Sequence, residues 1–173
     1  MTVTAVNKDT ENLTMTLTAE FEASPERVWE LWENPRQLER WWGPPAYPAT
    51  FTAYDLTPGG VMEYHMTGPD GDQPKAYWEI ISIDPPKSLT FSDGFRNEDG
   101  SRNEDFPEMQ VAVHLDEIGR GRTQMSIETR FATADAMEQL LAMGMEEGLT
   151  LAVGQIDAIL AEDSMSSNAK EIT

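Results

Sequence analysis

The chain has 173 residues, with 31 Asp and Glu against 12 Lys and Arg, a formal net charge of −19 and no cysteine. That length suits one ordinary domain burying roughly 70% of the unfolded chain's surface, while the absence of cysteine excludes disulfides, thiolate nucleophiles and Cys-ligated metals. The acidity repels nucleic-acid backbones and anionic membranes, which both select clustered Lys and Arg, so neither is an expected partner and solubility is the plain consequence.

Residues 1 to 11 are polar and aperiodic and are expected to form a flexible N-terminal arm. They lack the charged and apolar regions of a signal peptide, and no apolar run approaches the roughly 18 residues needed to cross a bilayer; the expected location is cytoplasmic. Leu13, Met15, Leu17, Ala19 and Phe21 then alternate with Thr14, Thr16, Thr18 and Glu20. That period of two predicts a half-buried strand. Ser24-Pro25-Glu26 reads as a helix start, with a capping hydroxyl, proline at the first helical position and an acid at the positive end. Val28, Trp29, Leu31 and Trp32 make its apolar side. Asn34-Pro35 breaks this helix and opens a second short one, which Gly43-Pro44-Pro45 ends.

Strands cut by turns are predicted next, over Val61 to Thr67, 75–84 and Leu89 to Phe95. Residues 96–107 read as a solvated loop. A last hairpin, 109–117 with 122–131, turns at Gly119-Arg120-Gly121. From Ala132 to about Ala161 the period becomes helical, with Thr133 as N-cap and one stripe through Met137, Leu141, Met145, Leu149, Ala152, Ile156 and Ile159. Gly144 and Gly148, one turn apart, predict a bend or a close backbone approach. The fold class is therefore α+β: an antiparallel sheet whose apolar face is covered by a long helix, with two short helices closing the gap. The domain spans residues 12–162, and 163–173 read as a frayed tail.

The segment ASPERVWELWENPRQLERWWGPP resembles the opening of the START-like, helix-grip (SRPBCC) superfamily. More narrowly, it is similar to the single-domain bacterial branch named after the activator of the heat-shock chaperone ATPase (the AHSA family). DLTPGGVMEYHMTGPDG, EIISIDPPKSLTF and MGMEEGLTLAVGQIDAIL follow in the family's order, so the likeness covers roughly residues 13 to 160. It implies a curved sheet gripping the C-terminal helix, with an elongated apolar cavity between them. Leu149 stands where the family usually carries a tryptophan, and Gly154 loosens the helix further.

Few residues offer chemistry. His65 and His114 both fall at outward strand positions and cannot converge as zinc ligands, so no metal and no cofactor is expected. There is no nucleophile elbow and no phosphate-cradling glycine loop, and no catalytic residue is assigned. Asp93 shares strand parity with Leu89, Phe91 and Phe95 and would face the interior. A carboxylate there would have a raised pKa and could orient a polar ligand group. A bulge at Asp93-Gly94 or a place at the cavity mouth are the alternatives.

The candidate cavity lining is Tyr64, Trp78, Phe91, Phe95, Met145, Trp42, Met62 and Met66, pliable methionines beside rings with polar tips, with Asp93 as the polar contact. These residues can equally fill a core. The leading expectation is a non-catalytic protein, monomer or homodimer, that binds a small hydrophobic or amphipathic ligand. An aromatase/cyclase-like enzyme acting on a polyketide-like substrate and a heat-shock co-chaperone module are the alternatives.

Overall fold

The computed structural model describes residues 3–162, so the predicted tail lies outside the described residues. Eight strands form one antiparallel sheet in the order β1-β2-β8-β7-β6-β5-β4-β3. They are β1 Val3–Asp9, β2 Thr14–Phe21, β3 Ala49–Ala53, β4 Val61–Met66, β5 Lys75–Asp84, β6 Ser88–Arg96, β7 Met109–Gly119 and β8 Arg122–Arg130. Helices α1 Pro25–Glu33 and α2 Pro35–Leu38 follow β2; α3 Ala134–Ala142 and α4 Met145–Val153 follow β8. This is the predicted α+β helix-grip architecture.

Residues 3–9 of the expected N-terminal arm form a strand instead. Val3–Asp9 pairs with β2 as an edge strand, Val6 opposite Leu17 and Lys8 opposite Met15. The turn that returns the chain is built on Asp9, whose carboxylate accepts from the backbone N–H of Glu11 and Asn12 and from the Asn12 side chain. An edge strand draws its order from its partner's ladder, so its own side chains need not alternate; here Val3, Ala5 and Val6 are only half-buried. Lys8 adds an ion pair to Glu146 at 2.7 Å, tying β1 to α4.

The helix starts follow the predicted chemistry. Ser24 Oγ accepts from Arg27 N at 3.3 Å, with Pro25 at the first position. Asn34 ends α1 and caps α2 through Arg36 N at 2.9 Å. Thr133 Oγ1 caps α3 by accepting from Ala136 N at 3.0 Å.

The C-terminal helix is interrupted rather than continuous. Gly144 has φ 91°, a left-handed backbone that ends α3 and starts α4 in a new direction. A second break at Gly154 precedes a further helical turn at 156–162. Burial along the predicted stripe is uneven: Met137, Ala152, Ile156 and Ile159 are buried, whereas Leu141, Met145 and Leu149 are half-buried. The middle of the stripe therefore faces something less than solid protein.

The concave face of the sheet carries two packed clusters. One holds Trp32, Trp41, Trp42, Phe51, Tyr64, Trp78 and Phe91 beneath α1 and α2. The other gathers Met15, Met109, Phe131, Met137 and Leu140 beneath α3. Gly43 of the Trp-Trp-Gly segment explains itself, since a Cβ there would lie 2.0 Å from the Tyr47 carbonyl oxygen. Gln155 Nε2 donates to the Gly43 carbonyl at 2.7 Å, fastening this segment to the C-terminal helical region.

Candidate functional site

A cavity of about 530 Å³ opens between the two clusters. Its sheet wall comes from Tyr64 and Met66 on β4, Asp93 and Phe95 on β6, Met109 and Val111 on β7, and Ile127 and Thr129 on β8. Leu140, Met143, Gly144, Met145, Gly148 and Leu149 form the helical wall. Trp42, Pro44 and Tyr47 close one end, with Asp72 and Pro74 from the β4–β5 connection. Met145 and Leu149, from the half-buried middle of the helical stripe, line this space. A second hollow, about 650 Å³, lies among exposed and half-buried polar groups of α1 and α2, including Glu30, Glu33 and Gln37; it has neither apolar enclosure nor the titratable pair described next.

Asp93 sits at an inward position of an unbroken stretch of β6, opposite Trp78 on β5 and Met109 on β7. No bulge turns it outward, because the register irregularity in the β5–β6 pair lies at Ile80/Ser82. The Tyr64 hydroxyl donates to Asp93 Oδ1 at 3.4 Å, a long bond. Desolvation pushes the Asp93 carboxyl up to about 7, opposed by the Tyr64 hydrogen bond. Burial and the neighbouring Asp93 charge drive the Tyr64 phenol well above its ordinary value. The indole nitrogens of Trp42 and Trp78 are buried without a hydrogen-bond partner. Both bear on the Tyr64 hydroxyl and oppose the rise in its pKa. A second pair lies at Tyr47 and Asp72, where the Tyr47 hydroxyl donates to Asp72 Oδ2 at 3.0 Å.

Of the residues singled out from sequence, Trp42, Tyr64, Met66, Asp93, Phe95 and Met145 are brought together on the cavity wall. Met62, Trp78 and Phe91 are not; all three are fully buried in the core beneath α1 and α2. Trp78 stacks on Phe91 with centroids 4.1 Å apart and meets Trp42 edge-on at 4.8 Å. They occupy the inward face that strand parity gives them, but the short helices cover that end of the sheet. Sequence reading missed Asp72 and Tyr47, whose meeting depends on loop conformation and leaves no periodic signal. His114 is exposed and His65 half-buried, both alternating with inward neighbours. The 96–107 loop is tethered more than its charge suggests, by an antiparallel backbone pairing of Arg96 with Arg102, Arg102 over the Tyr77 ring at 4.4 Å and Phe106 against Phe95.

A curved antiparallel sheet closed by a C-terminal helical region over an apolar cavity defines a helix-grip protein. Residues 22–161 match the family model described as Activator of Hsp90 ATPase homolog 1-like protein, and the chain belongs to that family. It is similar to protein Ms6760 from Mycobacterium smegmatis, with 46% identity, a TM-score of 0.84 and coverage of 91% of this chain and 96% of that one. It is also similar to a protein from Arthrobacter aurescens known from its solution structure, with 45% identity, a TM-score of 0.90 and 93% of each chain covered. CalU16 from Micromonospora echinospora shares the fold at 19% identity and a TM-score of 0.56, over 94% of this chain and 90% of that one. No curated protein matches the chain. Among the described residues, no helix is long and apolar enough to cross a membrane.

Proposed function

We propose that the protein binds a small apolar or amphipathic molecule in the cavity between sheet and C-terminal helical region. The observation that carries this reading is the cavity itself: about 530 Å³, walled mainly by apolar side chains, with one polar pair, Tyr64 and Asp93, set into the sheet wall. Its size and its few placed polar groups are those of small-molecule sites. Methionines at 66, 109, 143 and 145 give the wall pliability toward ligands of different shape. The family description also names activation of the Hsp90 ATPase, but a net charge of −19 does not favour a basic docking surface for a chaperone.

Leu149 provides the test. It lines the cavity at the position where the family resemblance leads one to expect tryptophan, and the smaller side chain leaves room. Leu149→Trp should fill that room and weaken fluorescence-detected binding of N-phenyl-1-naphthylamine by about tenfold or more, a loss of at least ~1.4 kcal/mol. Thermal stability should change by less than about 2 kcal/mol, because the ring enters space already present. Unchanged binding in the folded variant would place the dye elsewhere and remove support for the cavity.

The enzymatic alternative has one observation in its favour. Asp93, held near neutrality, and the Tyr64 hydroxyl converge on the same space, as proton transfer to a bound substrate requires. On that reading Asp93→Asn abolishes turnover of a polyketide-like substrate while preserving its affinity.

A further inference from the structure

The charges on the cavity wall are all of one sign. Asp93 and Asp72 are its ionisable acids, and no Lys, Arg or His stands among its lining residues. Each carboxylate takes the single hydroxyl hydrogen of a tyrosine, Tyr64 for Asp93 and Tyr47 for Asp72. Neither has a cationic side chain in an ion pair of the described residues. Around Asp93 the wall therefore holds acceptor capacity beyond the one Tyr64 hydrogen, with no cationic donor among its lining residues and only neutral indole N–H groups nearby.

The rings beside Asp93 point the same way. Trp42 is 8% exposed and places its ring on the cavity wall. It meets Tyr64 edge-on with centroids 6.4 Å apart. The two rings and the carboxylate make one corner that is both electron-rich and anionic. Such a corner attracts an organic cation through ring faces and charge together, and it repels a carboxylate or phosphate head. Away from it the wall is apolar, formed by Phe95, Met109, Met145 and Leu149. The net charge of −19 draws cations toward the molecule at long range.

Resting on the cavity reading above, we infer that the ligand is an amphiphile whose polar end is a protonated amine, with Asp93 as its counter-ion, Trp42 and Tyr64 flanking the head, and its apolar stem along Phe95, Met145 and Leu149. Fatty acids and other anionic amphiphiles are selected against by the same corner.

The test is a matched series of decylamine, 1-decanol and decanoate, titrated calorimetrically at pH 8 and physiological salt, where exposed acids are screened. Decylammonium should bind about tenfold more tightly than decanol, with decanoate weakest, an amine preference of the size expected for a partly desolvated charge and ring contact. In Asp93→Asn, checked for folding by circular dichroism, that preference should shrink to about twofold or less while decanol binding persists. Decanoate binding as well as decylammonium would overturn the inference and leave the cavity reading intact. So would an amine preference that survives Asp93→Asn, since the acidic surface would then be its source. Binding of none of the three would overturn both. The wild-type protein gives an independent readout by NMR: the methylene next to nitrogen should show Overhauser contacts to the Trp42 indole protons. Contacts instead to Met143, on the exposed part of the helical wall, or to Glu146, outside the lining, would overturn the assignment of the head group.

Discussion

Trp78→Ala should destabilise the protein by about 3–5 kcal/mol, near the top of what a single truncation costs. Trp78 is fully buried, stacks on Phe91 at 4.1 Å, meets Trp42 edge-on at 4.8 Å and lies 5.7 Å from the Phe51 ring. Removing the indole opens a large void in the cluster that fastens α1 and α2 to the sheet, where close packing prevents collapse. At roughly 2–4 °C per kcal/mol for a chain of this size, the midpoint of thermal unfolding should fall by about 6–20 °C. Met145→Ala makes the internal comparison. One side of Met145 already faces the cavity, so fewer contacts are lost and the midpoint should fall far less. Equal losses would mean that the cavity is packed as densely as the core.

The second large effect is a dependence of stability on pH centred on Asp93. Its carboxyl is raised to about 7 in the folded protein by desolvation, against an ordinary value near 4 in the unfolded chain. Between those values the folded state holds a proton that the unfolded state has released, so stability falls as pH rises. The stability is fully present below about pH 4 and is lost as pH climbs through about 7. At 1.36 kcal/mol per unit the loss is about 2–4 kcal/mol, the lower end allowing for water in the cavity. Asp157, raised by partial burial, adds a smaller change of the same sign. Asparagine cannot ionise, so Asp93→Asn should flatten most of the decline in urea midpoint between pH 5 and pH 8 and exceed the wild type in stability at pH 8. Parallel wild-type and variant curves would mean that Asp93 is well solvated.

What the sequence discloses here is face rather than depth. Alternation in β2, β7 and β8 sets which residues point inward, and Leu17, Val113 and Ile127 are buried accordingly. The same parity puts Met62, Trp78 and Phe91 on the inward face, as it does Tyr64 and Asp93. Whether an inward residue meets core or cavity depends on which half of the sheet α1 and α2 cover, and no local pattern carries that information. The helix stripe holds a fainter clue, since Gly144 and Gly148 fall where the helical region spans the cavity. Strand β1 carries no readable period, and β3 alternates only over the five residues Ala49–Ala53, too few to stand out. β1 takes its order from β2, and β3 is a short edge strand held to α2 by the Glu39 carboxylate, which accepts from Phe51 N at 2.7 Å. The Asp72–Tyr47 pair is a product of loop geometry and was beyond reach of any spacing rule.

The central claim is that this cavity holds a small molecule, and native and denaturing mass spectra of the protein purified from its own host test it most directly. The account predicts a discrete added mass in the native spectrum that is lost on denaturation, is absent from Leu149→Trp, and whose released compound carries a basic nitrogen. A native mass equal to that of the bare chain, joined to unchanged N-phenyl-1-naphthylamine binding in Leu149→Trp, would contradict it.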